Sequence, residues 1–211
     1  MKKLFILPVR SGSKRIKDKN IQKISKLSLI EIALKKIAKL DNVDILLSSD
    51  SDNYFEHARN FMHKNSSSSI LNFHKRSDIF SNNEATLENV LDEIFEDKNI
   101  KKKYKEIFVH QCTSPLIRIS TIRKMIQKFE TEDLDSIFSV NQSHPFIWRR
   151  DLNKKNDFYP LFDNTIPRKG TNKIENFLIE TGAIYGFNLK DYLKERKRTF
   201  GKSYPFIVSK N

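Results

Sequence analysis

The chain has 211 residues, which is enough for one well-packed domain and too few for two ordinary ones. A hydrophobic fraction of 38% and a charged fraction of 31% argue against a disordered chain, and no apolar run reaches the length of about 18 residues that a membrane-spanning helix needs. The one cysteine, Cys112, excludes an internal disulfide and a zinc site built from several cysteines. We therefore expect a single domain over residues 1–211, located in the cytoplasm and without a membrane partner.

The formal net charge of +13 makes a nucleic-acid-binding module one reading of the chain, because an excess of Lys and Arg attracts polyanions. The basic residues are scattered, however, and the densest run, residues 98–105, is predicted to be a solvated loop. No RNA-binding motif, zinc finger or helix-turn-helix spacing occurs. Since a positive field equally suits small substrates that carry phosphates and a carboxylate, we expect no nucleic-acid partner.

Short apolar runs alternate with amphipathic stretches along most of the chain, which is the pattern of βαβ units around a mostly parallel sheet. The predicted strands are residues 4–9, 44–49, 70–73, 106–111, 136–140, 177–180, 183–187 and 205–208. The predicted helices are residues 29–40, 53–63, 87–96, 120–129 and 189–195, in which apolar residues recur three and four apart. The fold class is therefore predicted to be α/β, with a Rossmann-like sheet.

The alternation lapses between about residues 141 and 175, where the segment is polar, aromatic and rich in proline and contains the only tryptophan, Trp148. We interpret this segment as an excursion from the sheet.

A basic loop, residues 10–20, follows the first predicted strand. Ligands of open α/β sheets bind beyond the carboxyl ends of the strands, so this loop is positioned to receive phosphates. Ser11, Gly12 and Ser13 let backbone N–H groups approach a ligand closely, while the arginines and lysines of the loop supply positive charge. The spacing fits neither a Walker loop nor a dinucleotide fingerprint, and a solvated basic turn is the alternative interpretation.

The amino-acid sequence of this region resembles the opening motif of the acylneuraminate cytidylyltransferase family, which comprises the CMP-sialic acid synthetases and their relatives. The matching residues run from Pro8 to Asn20 as Pro-Val-Arg-Ser-Gly-Ser-Lys-Arg-Ile-x-x-Lys-Asn. Further matches follow in the family's order: Ser-Ser-Asp-Ser at 48–51, Arg76 with Ser81 and Ala85-Thr86, Gln-Cys-Thr-Ser-Pro-Leu at 111–116, and Glu-Thr-Gly-Ala-Ile-Tyr at 180–185. The resemblance thus spans essentially the whole chain.

The resemblance implies a nucleotidyltransferase-type sheet and a homodimer formed through the excursion around residues 144–148. It also implies Mg²⁺-dependent transfer of CMP from CTP to the anomeric hydroxyl of an acidic nonulosonic sugar, with release of pyrophosphate. The acceptor would be of the sialic, legionaminic or pseudaminic type, for lipopolysaccharide, other envelope or flagellar glycosylation. Such an in-line displacement depends on positioning and charge stabilisation and needs no nucleophilic side chain.

The resemblance further implies a role for individual residues. The expected nucleotide-binding residues are Arg10, Ser11, Gly12, Ser13, Lys19, Asn20, Arg76, Ala85 and Thr86. Arg10 and Lys19 are the expected catalytic cations, and Arg76 with the Ala85 backbone would face cytosine. Gln111 and Arg168 would bind the sugar, Arg168 through the sugar carboxylate. The alternative readings are a strand-end amide for Gln111 and a surface cation for Arg168.

The end of the chain departs from the family, whose members continue past the final strand into an Asp-x-Asp segment that holds Mg²⁺. Because this chain stops at Asn211, we expect its C-terminal end to be truncated, and no metal ligand is assigned. Asp50 is the one nearby substitute, and a strand-end turn residue is its simpler interpretation. A catalytically weak or inactive nucleotide-binding relative is therefore the alternative to an active enzyme.

Overall fold

A seven-stranded sheet forms the centre of the protein. The computed structural model describes residues 2–12, 16–65, 69–82, 84–143, 148–150, 158–160 and 177–208. Its strands are β1 (Lys3–Pro8), β2 (Lys23–Ile24), β3 (Leu27–Ser28), β4 (Val43–Ser49), β5 (Leu71–Lys75), β6 (Glu106–His110), β7 (Ser136–Ser143), β8 (Trp148–Arg150), β9 (Phe158–Pro160), β10 (Phe177–Asn188) and β11 (Ser203–Ile207). Its α-helices are α1 (Leu29–Ile37), α2 (Asp52–Lys64), α3 (Leu87–Ile94), α4 (Lys98–Lys103), α5 (Ile119–Thr131) and α6 (Leu189–Glu195), and Lys19–Ile21 and Asp78–Phe80 form 3-10 turns.

The strand order of the main sheet is β11-β7-β10-β6-β1-β4-β5. β5, β4, β1 and β6 run parallel to one another, and β11 runs parallel to β7. Only the pairings of β10 with β6 and β7 are antiparallel within this sheet. The predicted α/β fold with a mostly parallel sheet is therefore confirmed.

Helices cover both faces of the sheet, which explains why the first strands are continuously apolar rather than alternating. Phe5 and Leu7 of β1 point into one core, which packs against α1, α2 and α5. Leu4 and Ile6 point into the other core, which packs against α3 and α6. Since successive strand residues face opposite sides, each core takes alternate residues of the same strand.

Three details of the predicted elements are wrong. Residues 98–103 form α4 instead of a loop, because the Asp97 side chain accepts a hydrogen bond from the backbone N–H of Asn99 (2.8 Å) and Ile100 packs on the core. β10 is one strand of 12 residues rather than a pair, with a shift in register between Glu180 and Tyr185. β7 extends to Ser143, so the sheet continues into the beginning of the predicted excursion.

Part of the excursion is described, and it contains the hairpin of β8 and β9, in which Trp148 pairs with Pro160. Residues 144–147, 151–157 and 161–176 lie outside the described residues. Within the described part of the chain, no helix is both long and apolar enough to cross a bilayer.

A fully buried carboxylate, Asp44, joins β4 to the end of α4. Lys2 Nζ lies 2.9 Å from Oδ1, Lys103 Nζ lies 2.9 Å from Oδ2, and the Tyr104 hydroxyl donates to Oδ2 at 2.7 Å. Burial by itself would raise the pKa of Asp44, but these hydrogen bonds outweigh burial and lower the pKa to about 2. Asp44 is therefore ionised and stabilises the fold in that form.

The substitution Asp44→Asn is expected to lower the free energy of unfolding at pH 7 by about 2 kcal/mol, because a depressed folded-state pKa stabilises the protein above the unfolded-state pKa. That contribution is lost as the pH falls from about 4 towards about 2, so the difference between the variant and the wild type should shrink below about pH 5. Urea unfolding at several pH values measures it. Asp191→Asn removes an exposed partner of Lys194 and is the control, with a change of at most about 0.5 kcal/mol. A difference for Asp44→Asn that does not vary with pH would contradict the role of its charge.

Candidate active site

Three charged side chains follow three neighbouring parallel strands at the carboxyl edge of the sheet. Arg10 lies two residues after β1, Asp50 directly follows β4, and Arg76 directly follows β5. The carboxyl ends of parallel strands in an open α/β sheet form the usual ligand-binding crevice. The basic loop therefore meets the ends of β4 and β5 at the edge where the sequence predicts a ligand.

Asp50 holds the beginning of the basic loop. Its Oδ1 accepts the backbone N–H of Ser11 at 2.8 Å, and its Oδ2 accepts the Ser11 hydroxyl at 2.7 Å. Burial alone would raise the pKa of Asp50. The hydrogen bonds from Ser11 and the positive charge of Arg76 together outweigh burial, so the pKa lies below its usual value. An ionised Asp50 therefore fixes the position of Ser11, a role that the sequence did not suggest.

Asn20 closes the other end of the basic loop. Its side-chain Nδ2 donates to the carbonyl oxygen of Arg10 at 2.9 Å, and its Oδ1 accepts the thiol of Cys112 at 3.3 Å. Asn20 is buried, and its side-chain amide makes these contacts within the protein. Lys19, its neighbour in the 3-10 turn, is half-buried. The loop is consequently tied at both ends, at Ser11 and at Asn20.

Arg76 is a buried cation at the same edge, only 7% exposed. Its Nη2 donates to the Ser48 carbonyl oxygen at 3.1 Å and approaches the Ser48 hydroxyl at 3.4 Å. Burial lowers the pKa of Arg76, Asp50 and Glu93 raise it, and the nearby charge of Arg10 lowers it. The mutual influence of Arg76, Arg10 and Asp50 indicates that the three side chains share one electrostatic environment.

Arg10 connects the basic loop to the stretch that was predicted to bind the nucleobase. Its Nη1 donates to the carbonyl oxygen of Asn82 at 2.9 Å. The Asn82 side-chain Oδ1 in turn accepts the backbone N–H of Ala85 at 2.9 Å, so that N–H is already bonded. Thr86 is the N-cap of α3, where its hydroxyl and N–H both bond Asn89. Ala85 and Thr86 therefore shape this stretch through internal hydrogen bonds.

Gln111 directly follows β6 at the same edge of the sheet. Its backbone N–H donates to the Ala183 carbonyl oxygen at 2.9 Å, and its carbonyl oxygen accepts the N–H of Ser114 at 3.0 Å. Beside it is a cavity of about 340 Å³, lined by Thr113, Ser114, Pro115, Leu116, Ile117, Arg118, Thr121, Asn141, Thr181, Ala183 and Val208. Asn141 Oδ1 is buried there without a hydrogen-bond partner, and no sequence motif marks this residue.

Several predicted site residues cannot be compared with the structure. Ser13 of the basic loop and Arg168 of the excursion lie outside the described residues, as does His144 of the predicted dimer segment. Gly12 is exposed and open, and a Cβ atom added there would meet no atom within 4 Å.

The described residues contain no cluster of several metal ligands. Among them, no group of three or more His, Cys, Asp or Glu side chains is arranged to hold a metal ion. Asp50 is the acidic side chain at the edge of the sheet, and both its oxygens already accept hydrogen bonds from Ser11. A magnesium ion normally takes one or two carboxylates with water and phosphate, so Asp50 alone does not fit this role.

Solved structures share this fold. A CMP:2-keto-3-deoxy-manno-octonic acid synthetase complexed with CTP superposes with a TM-score of 0.61 at 15% identity, covering 92% of this chain and 78% of that one. A 4-diphosphocytidyl-2C-methyl-D-erythritol synthase from Anaerococcus prevotii superposes with a TM-score of 0.62 at 11% identity, covering 98% of this chain and 86% of that one. The chain thus has the α/β fold of these two synthases.

The chain belongs to the cytidylyltransferase family, whose model matches residues 4–194. A pseudaminic acid cytidylyltransferase of Campylobacter jejuni is 26% identical over 217 residues, which cover 100% of this chain and 89% of that protein. An N-acylneuraminate cytidylyltransferase of Streptococcus agalactiae serotype V is 26% identical over 218 residues, which cover 100% of this chain and 49% of that protein. The predicted family and enzyme class, a nucleotidyltransferase, are therefore confirmed.

Cys112 is expected to be unreactive in the folded protein. Burial raises the pKa of its thiol to about 12, although the charge of Lys19 acts in the opposite direction, and only the thiolate attacks a disulfide reagent. Ellman's reagent at pH 8 should therefore detect no thiol in native protein and one thiol per chain in urea. Rapid reaction of the native protein would contradict the packing of Cys112 under Asn20.

Proposed function

We propose that this protein transfers CMP from CTP to the anomeric hydroxyl of a nonulosonic, sialic acid-like sugar and releases pyrophosphate. The observation that carries the proposal is that Arg10, in a loop held by Asp50, and the buried Arg76 lie at one edge of the sheet and influence each other's charge, in a chain of the cytidylyltransferase family. The names of the relatives from Campylobacter and Streptococcus support an acceptor of the pseudaminic or sialic type.

The basic loop would hold the triphosphate. Backbone N–H groups at Gly12 and Ser13 and the side chains of Arg10 and Lys19 would face phosphate oxygens, while Ser11 and Asn20 keep the loop in place. The acceptor hydroxyl oxygen attacks the α-phosphorus, the bond from this phosphorus to the bridging oxygen breaks, and pyrophosphate leaves with the electron pair while the hydroxyl proton passes to solvent. Cations fixed in advance stabilise the charge that develops in this step.

Arg76 would face the cytosine base. A guanidinium group only donates hydrogen bonds, and cytosine offers acceptors at both O2 and N3, whereas uracil carries a hydrogen on N3. A buried arginine held by Ser48 can therefore favour cytosine over uracil. Ala85 and Thr86 would act on the base through the shape of their stretch.

The acceptor sugar would bind between Gln111 and the excursion, with Arg168 as the partner of its carboxylate. Mg²⁺ would enter with the phosphates of CTP, because the described side chains offer no cluster of ligands for it. The ion supplies charge neutralisation of the triphosphate when it is bound.

We further propose a homodimer in the cytoplasm. Large apolar side chains are exposed on the hairpin of the excursion and on β10, namely Trp148, Phe158, Tyr159, Leu178 and Ile179. Exposed apolar surface of this kind often marks an interaction site, and a second copy of the chain is the partner that we infer. Analytical ultracentrifugation is the direct check, and a monomer at micromolar concentration would contradict the dimer.

The activity itself can be tested by pyrophosphate release. Incubation with CTP, Mg²⁺ and a panel of sialic, legionaminic and pseudaminic acids should release pyrophosphate with at least one sugar. UTP in place of CTP should give little product. If no sugar gives pyrophosphate while titration calorimetry detects CTP binding, the protein is a nucleotide-binding protein and not an active enzyme. If it does not bind CTP, both proposals are wrong.

Substitution of Arg10 tests the site of charge stabilisation. Arg10→Ala should lower kcat by roughly 10²–10³-fold, the usual effect of removing one preorganised donor. Arg123→Ala is the matched control, because Arg123 is also an arginine that donates to a backbone carbonyl oxygen (Lys39, 2.9 Å), but on α5. Equal kinetics of Arg10→Ala and the wild type would show that Arg10 lies outside the site.

A further inference from the structure

We propose that His74 and Glu93 are positioning residues that hold Arg76 in the orientation needed to recognise the nucleotide base. This inference rests on the proposed function, since it concerns the residue assigned to cytosine. It adds two side chains that no family motif of the sequence marks, and it explains how a buried arginine is oriented without an ion pair.

Arg76 is held by neutral groups. In the part of the chain that the structure describes, no carboxylate lies within 4.0 Å of its guanidinium group, although Asp50 and Glu93 influence it from farther away. Its hydrogen bonds go to the carbonyl oxygen of Ser48 (3.1 Å) and to the Ser48 hydroxyl (3.4 Å from both Nε and Nη2). A buried cation without a paired anion is costly, so its orientation depends on these dipoles.

The Ser48 hydroxyl is oriented by His74. The two residues are opposite each other in the register of β4 and β5, and Ser48 Oγ lies 3.1 Å from His74 Nδ1. Ser48 Oγ accepts from both Nε and Nη2 of Arg76, which uses both of its lone pairs, so we assign its own hydrogen to His74 Nδ1 and the hydrogen of a neutral His74 to Nε2. Burial lowers the pKa of His74, as does Arg76, while Glu93 and Glu96 act in the opposite direction, and the net effect favours the neutral ring.

Glu93 lies close to groups on both sides of Arg76 in the chain, the His74 ring and the Ser77 backbone. Its Oε1 accepts the backbone N–H of Ser77 at 2.9 Å, which fixes the turn directly after Arg76. Its Oε2 is buried, has no hydrogen-bond partner and lies 3.9 Å from His74 Nε2, so it faces the ring hydrogen. Glu93 belongs to α3, whose N-cap is Thr86 in the stretch predicted to bind the base. One helix thus links that stretch to the support of Arg76.

The variant His74→Phe tests the proposal by the affinity for nucleotides. His74→Phe fills the same space without the nitrogen atoms, and it should weaken CTP binding about tenfold, the effect of losing one hydrogen bond to an oriented group. Its preference for CTP over UTP should fall by a similar factor, while kcat at saturating CTP changes less than about twofold, because Arg10 and the basic loop are unchanged. Titration calorimetry with CTP and UTP, together with steady-state kinetics, measures these quantities.

His57→Phe is the matched control. His57 Nε2 lies 2.8 Å from the Ser28 hydroxyl and 3.6 Å from Glu31 Oε1, so this histidine has the same kinds of partners on the other face of the sheet. The control should bind CTP and UTP as the wild type does. Equal losses of affinity in His57→Phe and His74→Phe would reveal a general loss of stability and overturn the proposal.

Glu93→Gln supplies a readout that does not depend on activity. The amide keeps an acceptor for Ser77, but its N–H₂ group faces His74 Nε2 and should drive the ring hydrogen to Nδ1. ¹⁵N chemical shifts of the imidazole report this change of tautomer, so this measurement decides the matter even if His74→Phe fails to fold. A wild-type ring with its hydrogen on Nδ1, or a folded His74→Phe that binds both nucleotides normally, would overturn the positioning role. If Arg76→Ala also leaves CTP affinity unchanged, the assignment of Arg76 to the base fails instead.

Discussion

The bond between the Asp50 carboxylate and Ser11 is the constraint on which the geometry of the site depends. It ties the loop after β1 to the end of β4, and without it the small residues of the loop would have no fixed position relative to Arg76. Asp50 also places a negative charge near Arg76, which is itself near the positive charge of Arg10. A loop that receives phosphates must be cationic, and a carboxylate that orients the loop also offsets part of the repulsion between these cations before the ligand arrives.

Much of the fold could be predicted from the sequence, because its signals are local. The apolar runs at 4–9 and 44–49 are strands buried on both faces, and α6 begins and ends at the predicted residues. The basic loop lies at the carboxyl edge, as the position after a first strand requires. The prediction was wrong at α4, where four lysines suggested a solvated loop. A helix forms there because Asp97 caps its beginning and Ile100 packs on the core.

The support of the site could not be predicted, because it depends on pairings between distant residues. Ser48 meets His74 only through the register of β4 and β5, and Glu93 reaches Ser77 from another element. Hydrogen-bond partners also decided the position of Asn20, whose amide bonds Arg10 and Cys112 inside the protein. A motif identifies which residue types a site needs, but not which of them contact a ligand and which hold the others in place.

β10 connects an exposed apolar end with the strand edge at which Gln111 lies. One end of the strand carries the exposed side chains of Leu178 and Ile179, and the other end runs antiparallel beside β6, where the Ala183 carbonyl oxygen accepts the N–H of Gln111. The exposed end and the backbone that holds Gln111 thus belong to one continuous strand. If the proposed second copy of the chain packs on that end, the dimer contact and the proposed acceptor site would share this strand.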